Sequence, residues 1–271
     1  MKKFLSFLLC LFFLTQLHAA VDTFEGQAVT TATDIEGCTN CDMVEGQTVA
    51  GGVPSTPTEV QHVDGGDINV ASLTIAITPV AGTGRCFIAF GAVDGYAQTV
   101  SSATFDGNSM TEITSLGGGG GDVAMFSYCT DTGTSEVNVV ITPSSNSSIL
   151  GWVKQIDGVS KTGTVADVKD FDSTFDDGGG SPNTVTMSVD TTGTDNCLLV
   201  SGVSVGHETT TISVCDSTGQ TLSETEANAT PMKIVGSYFD LSVAGAKDQC
   251  FQESITFQDI LGITVALEPT P

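Results

Sequence analysis

The chain has 271 residues, 32 of them acidic and 8 basic, for a formal net charge of −24. That balance excludes nucleic acid as a partner, because affinity for a phosphate polymer comes from Lys and Arg displacing counterions, and it disfavours anionic lipid surfaces for the same reason. Divalent cations would relieve the self-repulsion of so acidic a chain, which makes Ca2+ the first ligand to consider.

Residues 1–19 read as a signal peptide. Met1-Lys2-Lys3 supplies the positive start, Phe4 to Leu14 the apolar run, and Ala19-Ala20 the small residues at the cleavage site, with cleavage expected after Ala19 or Ala20. The apolar run is short for a membrane anchor, and Cys10 lacks the small preceding residue of a lipoprotein signal. No second long apolar run follows, so the mature protein is expected to be secreted, with no membrane insertion. Its basic residues are then Arg85, Lys154, Lys161, Lys169, Lys233 and Lys247.

Residues 20–66 are rich in Gly, Thr and acids and poor in large apolar side chains. Glu25-Gly26-Gln27-Ala28-Val29 recurs as Glu45-Gly46-Gln47-Thr48-Val49, two copies being too few for a solenoid. Pro54-Ser55-Thr56-Pro57 has linker composition. This region is expected to be an irregular N-terminal arm.

From residue 67 to 271 short runs of Val, Ile, Thr and Phe alternate with Gly, Asn, Asp and Pro. Leu73 to Ile77, Phe87 to Phe90, Val137 to Ile141, Val185 to Val189, Leu198 to Val205 and Ile263 to Leu267 are such runs. β-Branched residues bounded by turn formers predict strands, and no stretch carries helical periodicity. The expected fold is all-β, an antiparallel two-sheet β-sandwich of jelly-roll type. The region also repeats itself: Arg85-Cys86-Phe87-Ile88 resembles Asn196-Cys197-Leu198-Leu199, and Ile149-Leu150-Gly151 resembles Ile260-Leu261-Gly262.

Further signatures are Ser-Ser-Ala-Thr-Phe-Asp-Gly-Asn-Ser-Met-Thr at 101–111, the aromatic strand at 125–129, Thr-Gly-Thr at 132–134, Ile156-Asp157-Gly158-Val159 and the closing Thr264-Val265-Ala266-Leu267-Glu268-Pro269. In this order they resemble a widespread β-sandwich module of secreted bacterial proteins and phage virion proteins, over residues 70 to 268. The resemblance implies adhesion, display or assembly rather than catalysis. Fold analogy carries little about chemistry, so the candidate residues are read one by one.

Gly202-Val203-Ser204-Val205-Gly206 matches a nucleophile elbow, but strand-like residues flank it and the only later histidine, His207, adjoins the motif. His207-Glu208 lacks the second histidine of a zinc-protease helix. Cys38-Thr39-Asn40-Cys41 has neither the helix start of a redox motif nor the second cysteine pair of a zinc site. No catalytic residue is expected. Cys38, Cys41, Cys86, Cys129, Cys197, Cys215 and Cys250 are disulfide candidates in an oxidising compartment, an odd set whose connectivity spacing does not reveal.

The best metal candidate is the acidic segment Asp167, Asp170, Asp172, Asp176 and Asp177, read as a flexible loop offering oxygens to Ca2+. Asp64-Gly65-Gly66-Asp67 is a weaker one. The Gly117 to Gly121 run reads as a loop tip. Tyr96, after Asp94-Gly95, is the aromatic most exposed to a ligand, whereas Trp152 sits in an apolar strand and is expected in the core. The expected function is that of a non-catalytic extracellular structural or adhesive protein. It would associate with itself or with another extracellular protein, as a subunit of a surface fibre or virion appendage. The alternative is a secreted carbohydrate-binding module with a glycan partner.

Overall fold

The computed structural model describes residues 43–44, 47–48, 56–95, 97–118, 120–176, 183–206, 211–215, 220–227, 232–254 and 259–271. The signal peptide, Cys38, Cys41, Tyr96, Asp177, His207 and Glu208 lie outside them. The chain divides into an N-terminal unit, Met1–Val53, and a larger unit, Pro54–Thr270. In the first, β1 (Met43–Val44) and β2 (Gln47–Thr48) pair antiparallel.

Among its described residues, the regular elements of the larger unit are all strands. Its first half carries β3 (Thr58–Val70), β4 (Leu73–Ile77), β5 (Cys86–Asp94), β6 (Val100–Phe105) and β7 (Asn108–Ser109). It continues with β8 (Thr111–Gly118), β9 (Gly121–Cys129), β10 (Val137–Pro143) and β11 (Ser147–Asp157). A connector hairpin of β12 (Lys161–Thr162) and β13 (Val165–Ala166) follows. The second half holds β14 (Val168–Asp176), β15 (Thr184–Asp190), β16 (Leu198–Val205) and β17 (Ile212–Val214). It ends with β18 (Thr221–Ala227), β19 (Lys233–Asp240), β20 (Ala246–Glu253) and β21 (Ile260–Leu267). Residues 58–66, expected in the arm, are thus the start of the first long strand. They lack the apolar alternation of a one-sided strand because β3 is half-exposed along most of its length.

The sheet orders reveal the architecture. The first half forms a sheet β3-β11-β5-β9-β8 and a smaller sheet β4-β10-β6-β7, and the second forms β14-β21-β16-β19-β18 and β15-β20-β17. Exchanging β3 for β14, β4 for β15, and so on in order turns one set into the other, apart from the two-residue β7. The internal repeat is therefore two complete jelly-roll-like sandwiches, not two contributions to one. All pairings are antiparallel, and Asp106 and Gly107, both at positive φ, make the tight turn between β6 and β7.

The burial pattern explains the strand chemistry. One core lies between the two sheets of the first half, around Phe87, Val139 and Ile141. Another lies between the sheets of the second half, around Met187, Val203 and Phe251. The largest lies between the two five-stranded sheets and joins Phe90, Met125 and Trp152 to Val200, Ile234 and Ile263. The layers are thus small sheet, large sheet, large sheet, small sheet. Strands of the inner layers are buried on both faces: β16 and β21 along their whole length, β5 except at its last residue and β11 except at Ser148 and its last residue. Outer β4 and β15 alternate buried and exposed residues. Continuous apolar runs and alternating runs in the sequence are the imprint of these two environments.

The main contacts across the central seam are reciprocal, although β8 also meets β21 with no comparable contact of β18 with β11. β8 meets β14 as β18 meets β3, and β9 meets β21 as β19 meets β11. Reciprocity of this kind marks a two-fold interface, here internal to one chain. The register fixes the equivalence. Ile149 pairs with Val93 and Ile260 with Val205, so Cys86 corresponds to Leu198 and Phe90 to Gly202. The sequence match of Cys86 with Cys197 is one residue out of step. The repeated Ile-Leu-Gly has a packing cause: a Cβ on Gly151 would lie 2.8 Å from Ile141, and one on Gly262 would lie 2.9 Å from Met187. In each half the closing strand needs a glycine where a large side chain of the small sheet presses in.

Candidate functional site

The acidic segment is a strand, not a loop. Val168, Phe171 and Phe175 give it strand character, and β14 pairs with β21 along its length. Asp170 and Asp176 are six residues apart, roughly 20 Å on an extended chain. The carboxylates turn instead to the backbone of β15. Asp170 Oδ2 accepts the Asp190 N–H at 2.7 Å, Asp172 Oδ2 accepts that of Ser188 at 2.7 Å, and Asp176 Oδ2 accepts that of Thr184 at 3.2 Å. Asp167 caps the connector hairpin, accepting from Ser160 at 2.7 Å and Thr162 at 2.9 Å. The alternating acids thus fasten the edge of the second half's large sheet to the edge of its small one. Donors on an edge strand otherwise invite pairing by another chain. Among the described residues no three His, Cys, Asp or Glu side chains gather where they could hold a metal ion. Asp64 and Asp67 lie along β3, opposite Trp152 and Ile149.

Ser204 lies within β16, one residue before its end, paired on one side with Leu261 and on the other with Ile234, and is almost wholly buried. Gly202, the first glycine of its motif, is a packing residue under the Phe90 ring. Leu198 to Val205, which would invite self-association at an edge, forms the centre of its sheet. Trp152 is in the core as expected, stacked on Phe90 at 5.3 Å.

Two disulfides form among the described residues. Cys86–Cys129 links neighbouring β5 and β9, and Cys215–Cys250 links the end of β17 to β20. They occupy different places in the two halves. Cys197 is a buried thiol whose Sγ faces the Thr194 carbonyl, and burial, aided by Glu268, raises its pKa to about 11. Such a thiol is a poor nucleophile. Two disulfides fit an oxidising compartment, and no helix among the described residues is long and apolar enough to cross a membrane.

A group the sequence reading missed lies in the central seam. Lys154, fully buried in β11, contacts the Glu59 carboxylate of β3. Its Nζ lies 5.4 Å from the centre of the Trp152 ring and 5.7 Å from that of Tyr238. His62 stands opposite Lys154 in the strand register, and burial, then the Lys154 charge, lowers its pKa to about 3. The signal was available: a lysine at the heart of Ile149 to Ile156, beside the single tryptophan.

The surface of the described residues carries shallow depressions. One, of about 300 Å³, runs between β8 and β14 beside Ile113, Val168 and the half-exposed Phe171. Another, about 520 Å³, flanks the Cys215–Cys250 bridge near Lys247.

Burial raises the pKa of Asp94, Asp122, Asp240 and Glu253. The folded state holds these protons more tightly than the unfolded chain, so stability declines as pH climbs from the ordinary carboxyl value, about 4, through the raised values. Asp131 and Asp190, held low by hydrogen bonds from Lys161 and Thr192, act oppositely, but their contribution is lost only as pH falls below that ordinary value. His62, neutral in the fold with its pKa lowered to about 3, opposes the raised carboxyls, because the unfolded imidazole takes up a proton as pH falls through its ordinary value. A His62→Gln chain is therefore expected to gain more in urea midpoint on going from pH 8 to pH 5 than the unaltered chain does; an identical pH difference in the two chains would contradict the assignment.

Set against known protein families, curated proteins and solved structures, the chain matches none of them.

Proposed function

We propose that the protein is a non-catalytic extracellular structural or adhesive subunit, a building block of a surface fibre or virion appendage that associates with copies of itself or another extracellular protein. The observation that carries this reading is the use made of its polar residues. Asp167, Asp170, Asp172 and Asp176 hold strands and turns together, and Ser204 is a strand residue in a filled interior. A stack of four sheets, two of them each carrying a disulfide between neighbouring strands, suits a load-bearing particle. The turn and strand signatures resemble a module of secreted bacterial and virion proteins, which points the same way. The N-terminal arm leads directly into β3 and is the segment suited to add a strand to a neighbour's sheet edge, a common assembly mode. Size-exclusion chromatography and electron microscopy of the mature protein, with and without calcium, test this. Regular oligomers or fibres are expected; a strict monomer at high concentration in both conditions would overturn the reading.

A further inference from the structure

Among the described residues, the contact between Lys154 and Glu59 is the one place where an amine and a carboxyl meet in a filled interior. Lys154 is wholly inaccessible and the Glu59 side chain 11% exposed. Glu59 reaches this position because of a register shift. His62 pairs with Lys154 and Gln61 with Gln155, yet Glu59, not Val60, pairs with Ile156. Side chains alternate faces along a strand, so without the extra residue Glu59 would point with Gln61 to the opposite face. The bulge at Val60 swings it onto the face shared by Lys154, Trp152 and Ile156. That face is the central seam, where two aromatic rings flank the amine.

We propose that Lys154 and Glu59 condense into an intramolecular amide that covalently joins β3 to β11. Two opposite charges in a poorly solvated interior carry a large desolvation cost, and passage of one proton from ammonium to carboxylate leaves a neutral amine against a neutral carboxylic acid. The Nζ lone pair attacks Cδ of Glu59, a C–N bond forms, and the bond from Cδ to the hydroxyl oxygen breaks. A proton from Nζ goes to the departing hydroxyl, which leaves as water. The reaction changes no oxidation state and needs no cofactor. His62, neutral and opposite Lys154, is placed to relay that proton. The product replaces two buried charges with one neutral amide. The tie falls on the strand the N-terminal arm enters, so tension on the arm would pass into β11 at the centre of the fold.

The test is the intact mass of the mature chain, reduced and fully denatured. The expected mass is one water below that of the sequence, with a branched peptide joining the segments that contain Glu59 and Lys154, and no tryptic cleavage after Lys154. A mass equal to the sequence overturns the proposal. So does a Glu59→Ala chain that is still one water light, since the water then came from elsewhere. If Glu59→Ala fails to fold, the peptide map of the unaltered chain decides alone. The outcome is independent of whether the protein assembles.

Discussion

Gly202→Val is expected to cost about 3 kcal/mol of stability, at the upper end for an overpacked core. A Cβ at this position would lie 2.4 Å from Cδ2 of Phe90, with two more ring carbons within 2.7 Å. The ring cannot easily yield, because its other contacts include the stacked Trp152. The register explains why so large a residue meets so small a one. Phe90 and Gly202 are equivalent positions of the two halves, and near a two-fold axis a residue meets its own counterpart. Two phenylalanines would collide there and two glycines would leave a void. Phe90→Ala, which opens that void, should lose about 3–5 kcal/mol. Urea unfolding of both variants measures the effect. A Gly202→Val chain within a few tenths of a kcal/mol of the parent would show that the seam is not closed here.

Arg85→Met is expected to lose about 3 kcal/mol, because it removes a fully buried guanidinium whose charge-assisted hydrogen bonds hold four backbone carbonyls of two loops together. Arg85 is completely inaccessible, and its guanidinium serves four backbone oxygens. Nε donates to Thr130 at 2.7 Å, Nη1 to Val80 at 2.8 Å, and Nη2 to Thr132 at 2.5 Å and Gly133 at 2.9 Å. Its own N–H donates to Asp131, which Lys161 also holds. One side chain thereby organises the loop before β5 and the loop after β9, next to the Cys86–Cys129 bridge. Arg85→Lys should recover only part of the loss, since an ammonium lacks the planar fork that reaches divergent acceptors. Full stability of Arg85→Lys in denaturant titration would refute the fork argument. In the second half the equivalent position is Cys197, so the two halves close this corner by different chemistry.

The secondary structure was legible because burial on one face or two leaves different marks. Leu73 to Ile77 alternates and lies in an outer sheet, whereas Leu198 to Val205 is continuous and lies between layers. The duplication was also legible, in Ile149-Leu150-Gly151 and Ile260-Leu261-Gly262. That each copy closes a sandwich of its own was not, because nothing local distinguishes a strand shared between halves from one kept within its half. The acidic segment was misread because acids at alternate positions describe a loop or a strand edge equally well; the nearness of β15 decides. Disulfide partners depend on register and on which strands are neighbours. The meeting of Glu59 with Lys154 depends on a single extra residue in β3, which composition does not disclose.

The central claim is that two equivalent sandwiches meet face to face on an internal two-fold axis passing near Phe90 and Gly202. Exchanging the pair tests it most directly. The double variant Phe90→Gly/Gly202→Phe should be clearly more stable than the sum of its single variants predicts, because the large and small partners are merely transposed across the axis. Strict additivity of the two losses, measured by chemical denaturation, would mean that these positions do not face each other as counterparts.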